Sequence, residues 1–456
     1  MRPRIVRQSI PQWVDPATAF VALYSDETDV VWLDTGVNAT EGRSYIGSAA
    51  RSVTSGDLDI PILDFLRDEL AAVSVDSSGE GFALGWLGWL SYELRFETMD
   101  MPRTRASRYP DAAFVFLDRA IEFDHSTQTV SLLALVHTDD AAPASADAFA
   151  GTPELAAWRD GIVATLATAT PPEKPRRPRL TGSAYWSYSD EKYLEMIAAC
   201  QAAIVEGDAY QLCLTAEFRV QNAFEPVPTY LALRAASPSH HGALVRIGGV
   251  ALLSSSPEQF LTVTPDGIVE SRPIKGTRRR GVDAREDDVL RAELEGSDKE
   301  RAENLMIVDL MRNDIARVSE IGSVEVTELL EVESYAQVHQ LVSTVRGTLR
   351  DGLHGVDAVS ACFPAGSMTG APKRAAVDIL DALEERPRGI YSGAFGYFGL
   401  DGRIDLAMVI RSIVIDADGA TIGSGGGITA LSDPAEELAE VQLKAAAMLA
   451  VLGADD

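Results

Sequence analysis

Cysteine is scarce in this chain: three of 456 residues. Cys200, Cys213 and Cys362 are odd in number, far apart and without C-x-x-C spacing, so they give no disulfide framework and read as reduced, buried thiols of a cytosolic protein. Positive charge is also short. Lys+Arg number 40 against Asp+Glu 68, a net charge of -28, which argues against nucleic acid and anionic membrane as partners. No apolar run approaches a membrane span, and the opening M-R-P-R-I-V-R-Q-S-I-P has no apolar core of signal-peptide length. A soluble, cytoplasmic protein is expected. No tandem repeat of solenoid period is visible, and the length allows one large domain, two or three.

The chain divides by composition. Residues 1–170 read as a mixed region with strand-like alternation at Val30 to Leu33, Ala113 to Leu117 and Thr129 to Val136. Gly81 to Tyr92, G-F-A-L-G-W-L-G-W-L-S-Y, interleaves glycine with aromatics, which predicts close backbone approach, more in keeping with core packing than with a ligand. A linker is expected over 171–184, because P-P-E-K-P-R-R-P-R is all proline and charge. From residue 185 to 456 the punctuation is sharper. Ser189 and Asp190 open a helix with Tyr193, Met196, Ile197, Cys200 and Ile204 on one face and Gly207 at its end. A strand from Tyr210 to Thr215 follows.

Several stretches could carry chemistry. Phe260 to Thr264 and Ile268 to Ser271 flank Pro265-Asp266-Gly267 and predict a hairpin whose exit strand stops at R-P-I-K-G-T, placing Lys275 beside a glycine and ahead of Arg278, Arg279 and Arg280. Nearby cations and desolvation push a lysine toward the deprotonated, nucleophilic state; a basic hairpin end in water is the plain reading. Leu290 to Val318 predicts one long helix or two. E-N-L-M-I-V-D-L-M from Glu303 to Met311 is apolar almost all round, so burial is expected. Glu300 and Glu303 share a face at i, i+3, and Glu437 and Glu440 repeat the spacing on a C-terminal helix. Two such pairs could face a hard cation such as Mg²⁺ or be solvated glutamates on amphipathic helices. F-P-A-G-S-M-T-G-A-P-K, from Phe363 to Lys373, runs into a helix and could present N–H groups and Lys373 to an anion, although its spacing is not that of a Walker loop. Strands are expected at Gly393 to Phe398, Ile404 to Ile415 and Ala420 to Ile422. They carry Tyr391 and Arg411 with them and end at Gly423-Ser424-Gly425-Gly426-Gly427, where bare N–H groups and an arginine could take a carboxylate, or simply turn the chain.

Together S-S-S-P-E, R-P-I-K-G-T, A-E-N-L-M-I-V-D-L-M-R-N-D-I, V-H-Q-L-V-S-T-V, F-P-A-G-S-M-T-G-A-P-K, Y-S-G-A-F-G-Y-F-G and a terminal E-x-x-x-K resemble the chorismate-utilising enzymes, over roughly Tyr185 to Leu449. The resemblance implies an α+β fold of two packed, largely antiparallel sheets flanked by helices, with the N-terminal region contributing strands. It implies Mg²⁺ on Glu303 and Glu440, with Glu300 and Glu437 reaching it through water, to bind the ring carboxylate of chorismate. Tyr391, Arg411, Gly425, Gly426 and Gly427 would take the enolpyruvyl carboxylate, Thr277 would line the substrate site, and Lys444 would face the metal-bound carboxylate. His339 would contact the ring near the departing oxygen; a satisfied core histidine is the other reading.

Two positions set this chain apart within the resemblance. Lys275 stands where anthranilate synthases have alanine, and the lysine implies a covalent route: attack at ring position 2 while Glu258 protonates the leaving hydroxyl at position 4, then addition of ammonia at 4 with loss of Lys275. Burial is expected to raise the carboxyl of Glu258 for this acid and base work. Gln211 stands where isochorismate and salicylate synthases have a water-activating lysine, a task an amide cannot perform. Both point to a 4-amino product, made in the manner of aminodeoxychorismate synthase component I for a folate or a specialised pathway. No glutamine amidotransferase part is found and no cysteine sits in a nucleophile elbow, so ammonia is expected from a separate amidotransferase subunit. An anthranilate synthase component I, or a non-catalytic chorismate- or amino-acid-binding regulatory subunit, are the competing expectations. Ala316 departs from the R-N-D-I-G usual in the family, and Thr35 from the serine common where related subunits bind tryptophan.

Overall fold

The computed structural model describes residues 2–73, 75, 81–138, 149, 152–175, 178–335 and 338–454; Arg176 and Arg177 of the expected linker lie outside the described residues. Its framework is a pair of sheets, one of twelve strands and one of ten, with neighbouring strands antiparallel. Alternation along single strands shows how the sheets stack. On Val30–Asp34, Val31 points into the apolar core shared by both sheets, while Val30 and Trp32 point into a second core under the outer helices. Leu252 and its neighbours Ala251 and Leu253 repeat the pattern on Val250–Ser256. A strand with period two can serve two cores only if both its faces are covered.

Strands from residues 2–138 enter both sheets. Val30–Asp34 pairs with His241–Ile247 in the larger sheet, and Gly85–Leu90 pairs with Ala394–Gly399 in the smaller. The glycine-aromatic stretch does bring backbones together: a Cβ on Gly88 would lie 1.9 Å from the carbonyl oxygen of Ala113 on the adjoining strand. Trp86 and Trp89, both 1% exposed, fill the core there.

The helix Asp190–Glu206 follows the sequence reading, with the Ser189 side chain accepting from the amide of Lys192 and Gly207 left-handed at φ 91°. The two acidic helices are Asp298–Ala316, capped by Ser297, and Pro434–Leu452, capped by Asp433 with proline at its first position. Each Glu pair therefore sits in the first turns of its helix, where the macrodipole favours negative charge. Asp298–Ala316 is not buried all round. Asn304, Ile307, Val308, Met311 and Ile315 face the core while Leu305 is 42% exposed, because the helix lies on the sheet edge with one face in solvent.

Two other expectations change. Ile404 to Ile415 is two strands, Ile404–Met408 in the smaller sheet and Ser412–Asp416 in the larger. The glycine run 423–427 is no loop but part of the strand Gly419–Ile428.

Candidate active site

The chain passes from one sheet to the other at two places that matter. It leaves the larger sheet after Val250–Ser256, crosses at Pro257 and Glu258, and enters the smaller as Gln259–Val263. It returns through Val409, Ile410 and Arg411. The crossings run side by side, the amide of Met408 donating to the carbonyl of Glu258 (3.0 Å) and that of Ser255 to the carbonyl of Arg411 (3.2 Å). Arg411 adopts φ 51°, uncommon for a residue with a Cβ and met where surrounding structure imposes it. Strand reversals between sheets thus deliver Glu258 and Arg411 to one spot that neither sheet could reach alone.

That spot is a cavity of about 570 Å³. One wall carries Glu258, Lys275 and Thr277; another is the strand stretch Gly423 to Gly427; the acidic helices bring Glu300, Glu303, Glu437, Glu440 and Lys444; Tyr391 and Arg411 close the far side. Of the candidate site residues named from the sequence, all but His339, Gln211 and Lys373 line it.

Lys275 is not at the end of the hairpin strand. The break falls at Arg272-Pro273, and Lys275 is the second residue of a further strand, Ile274–Arg279, whose register against Val338–Thr348 shifts between Ile274 and Thr277. Gly276, φ 80°, supplies that irregularity and leaves room: a Cβ there would press on the Glu300 carboxylate at 2.4 Å. Among the described residues no carboxylate pairs with the Lys275 amine. The three arginines do not gather round it either, since Arg278, Arg279 and Arg280 are spent on Glu300, Glu286 and Asp287.

Glu258 is 8% exposed. Burial raises its carboxyl above the ordinary value, against the opposing pull of Lys275, a hydrogen bond with Ser367, and Lys444. Burial likewise raises Glu303, with Lys275 and Lys299 opposing and Glu300 and Glu437 adding repulsion. Burial would raise Glu440 too, but Lys444, by charge and hydrogen bond, leaves it below its usual range. Burial lowers Arg411 against the longer-range pull of Tyr391 and Glu440; among the described residues its guanidinium forms no ion pair within 4 Å, which leaves it able to take an anion.

The glycine wall has an open edge. Pairing with Ser412–Asp416 stops at Ile422, while pairing with Gln211–Val220 continues to Ile428. Lys444 Nζ donates to the carbonyl of Gly425 at 3.0 Å. Both backbone groups of a strand residue point the same way, so the Gly425 N–H faces the same space. Absent side chains also admit neighbours: a Cβ on Gly423 would lie 2.0 Å from the Tyr391 ring.

Three expectations are corrected here. His339 faces away from the cavity, with Nδ1 2.8 Å from Ser334 Oγ and Nε2 3.0 Å from Asp287 Oδ1. Strand alternation is the reason, since its neighbour Gln340 takes the cavity side. Gln211 is absent from the cavity lining; it is 1% exposed on the strand face it shares with the lining residue Cys213, its Nε2 2.3 Å from where a Gly427 Cβ would be. Lys373 offers no charge to an anion, because it is paired with Asp314 and donates to the carbonyl of Cys362 (2.9 Å).

Sequence reasoning missed Ser367, Cys213, Gln340 and Lys299, all of which line the cavity. Alternation from Gln211 would have found Cys213, and an i−4 step from Glu303 would have found Lys299. Lys299 reaches across to Glu437 Oε1 at 3.3 Å and so ties one acidic helix to the other.

The four glutamates offer oxygen ligands alone, the set that suits Mg²⁺. Among the described residues no three acidic, histidine or cysteine groups are close enough to hold a metal together, for Glu300, Glu437 and Glu440 are drawn aside to Arg278, Lys299 and Lys444. The donor set nonetheless fits a hard cation: Glu303 forms no ion pair among the described residues, and Glu300 and Glu437 repel it while Lys275 and Lys299 act on it only at longer range.

Comparison with known proteins defines the class. Residues 28–450 match the family of chorismate binding enzymes, and the chain belongs to that family. It is 41% identical over 96% of its length to a protein of Streptomyces pristinaespiralis named aminodeoxychorismate synthase, and 41% identical over 99% to one of the same name from Streptomyces griseus. It spans 64% of the length of each of these relatives. The crystal structure of anthranilate synthase component I from Streptococcus pneumoniae superposes with a TM-score of 0.73 at 27% identity, covering 98% of this chain and 92% of that one. No helix among the described residues is long and apolar enough to cross a membrane.

Proposed function

We propose that the chain aminates chorismate at ring position 4, as the chorismate-converting component of an aminodeoxychorismate synthase, with ammonia supplied by a glutamine amidotransferase partner. The observation that carries the reading is Lys275, an amine that forms no ion pair among the described residues, in the same cavity as the buried acid Glu258.

The residues divide the work by charge. Arg411, Tyr391 and the open glycine edge with Gly425 bind the enolpyruvyl carboxylate, while Lys444 and the acidic helices face the ring carboxylate. Mg²⁺, on Glu303 and Glu440 with Glu300 and Glu437 behind them, would supply the positive charge that lets an anion rest against acidic helices. Lys275 Nζ forms a bond to ring carbon 2 as both ring double bonds shift one position and the carbon 4 to oxygen bond breaks; Glu258 gives its proton to that oxygen, which leaves as water. Ammonia then bonds to carbon 4, both double bonds shift back, and Lys275 departs as the amine. Glu258, now a carboxylate, takes the surplus proton. Atoms balance as chorismate plus ammonia to aminodeoxychorismate plus water. Burial of Glu258 favours the protonated form that the first half needs.

The likeness to anthranilate synthase component I favours amination at position 2 as the second reading, and Lys275 opposes it. The test is the purified chain with chorismate, Mg²⁺ and ammonium, with and without an aminodeoxychorismate lyase. Lyase-dependent 4-aminobenzoate supports the proposal; anthranilate formed without lyase overturns it.

A further inference from the structure

Behind the cavity lies a buried charge network that the mechanism above does not use. Arg388, 1% exposed, does not line the cavity, yet its guanidinium donates to two carbonyls that belong to lining residues: Nη1 to Met368 (2.7 Å) and Nη2 to Cys213 (2.9 Å). Two further donors go to one carboxylate, Nε to Glu384 Oε2 (2.8 Å) and Nη2 to Glu384 Oε1 (2.7 Å), and Nη1 also reaches Ser392 Oγ at 3.5 Å. Glu384 also accepts from the amide and hydroxyl of Thr215, at 3.0 and 2.9 Å. From the N-terminal region, Glu93 accepts the amides of Arg388 and Gly389 at 2.9 and 2.8 Å, and the ring of Tyr92 stacks 4.3 Å from the guanidinium.

The geometry points to Arg388 as a positioning residue that sets the width of the cavity. Met368 follows Ser367, the hydroxyl beside Glu258; Cys213 pairs in register with Gly427 of the glycine wall; and Tyr391 is three residues further along Arg388's own segment. One planar, rigid fork thereby holds the acid's side of the cavity against the carboxylate-binding side, a task that needs several donors at fixed angles. Stability alone is a poor reason to keep such a group, since a buried ion pair replaced by apolar residues of like volume is often no less stable. Glu93 extends the brace to strands that precede the linker and makes that region part of the site's precision.

The inference rests on the reading of Glu258 as the acid, and its test separates the two. Arg388→Lys keeps a positive charge beside Glu384 but cannot donate to both carbonyls and chelate the carboxylate at once. We expect kcat per folded molecule to fall by about 100-fold, the scale of a misplacement near 1 Å, with KM for chorismate changing much less, and the acid-dependent limb of the pH profile to move. Arg388→Lys with wild-type kcat, KM and pH profile per folded molecule, and only a lowered Tm, would overturn the proposal. Should that variant fail to fold, Glu384→Gln preserves the shape while weakening the clamp, and the same split is expected of it. Calorimetric titration of chorismate with Mg²⁺ over a range of pH gives a readout without product. A pH dependence of binding displaced in the variant supports the role of Arg388, and an unchanged one counts against it. The identity of the wild-type product judges the synthase reading separately: loss of turnover to any other product in Arg388→Lys leaves the positioning role standing while that reading falls.

Discussion

Replacing Glu258 by Gln separates what the buried carboxyl does for chemistry from what it does to stability, and the two effects have opposite signs. The substitution keeps volume and one hydrogen-bonding end but removes the proton that leaves with the position-4 oxygen and the base that later recovers one. A positioned general acid or base contributes about 10²–10⁴-fold, so kcat should fall by that factor, about 2.7–5.4 kcal/mol of barrier. Stability should move the other way. The folded carboxyl lies above its ordinary value because burial penalises the charged form, so the stability it contributes is complete below the unfolded-state value near 4.3 and lost as pH rises through the folded one. Each unit of displacement is worth about 1.4 kcal/mol once the group is ionised. Glu258→Gln should therefore melt above the wild type on the alkaline side and converge with it in acid, while wild-type kcat declines as Glu258 loses its proton. Melting curves across pH and initial rates with saturating ammonium, coupled to the lyase, measure both. Full activity in Glu258→Gln, or a melting difference that grows toward acid, would refute the reasoning.

Lys275→Ala should abolish any mass increase of the quenched protein after exposure to chorismate and Mg²⁺ and turn residual amination toward ring position 2; undiminished 4-amino product would sink the nucleophile. Glu303→Gln should weaken calorimetric Mg²⁺ binding by on the order of 100-fold and, since burial already raises the Glu303 carboxyl, should raise the Tm of metal-free protein at neutral pH. Unaltered Mg²⁺ affinity would count against the cation site. His339→Ala removes the hydrogen bonds to Ser334 and to Asp287, which keeps Arg280 and the Gly281 amide, and should cost about 0.5–1.5 kcal/mol for each bond lost; kcat per folded molecule should hold, and a loss without a change in Tm would return His339 to the chemistry.

What the sequence could say depended on whether a residue's neighbours along the chain decide its place. Ser189 and Gly207 delimit a helix through local hydrogen bonds and φ, and both are where capping preference puts them. The hairpin around Asp266-Gly267 is just as local. Spacing brought Glu300 with Glu303 and Glu437 with Glu440 onto single helix faces, and an i,i+4 step joins Glu440 to Lys444 within one helix. The pairing of Glu300 with Arg278 and of Glu437 with Lys299 is instead a property of three elements packed together, which no spacing within a helix shows.

The misreadings share that cause. V-H-Q-L places a histidine and an amide next to each other on a strand, and period two sends one to the cavity and the other to the outer layer; which goes where is fixed by the partner strand, not by the motif, so Gln340 faces inward and His339 meets Asp287. The glycine run looked like a turn because glycines end strands, whereas here they let Tyr391, Glu437 and Gln211 press against a continuing strand. Ile404 to Ile415 reads as one β run because nothing in its composition marks the crossing between sheets. That crossing is what brings Arg411 within the same cavity as Glu258, at the cost of a left-handed φ for a residue that is not glycine. The feature least legible in the sequence is therefore the one that assembles the site: two adjacent passages between sheets, hydrogen-bonded to each other, that set an acid and an anion-binding arginine together from strands otherwise belonging to different layers.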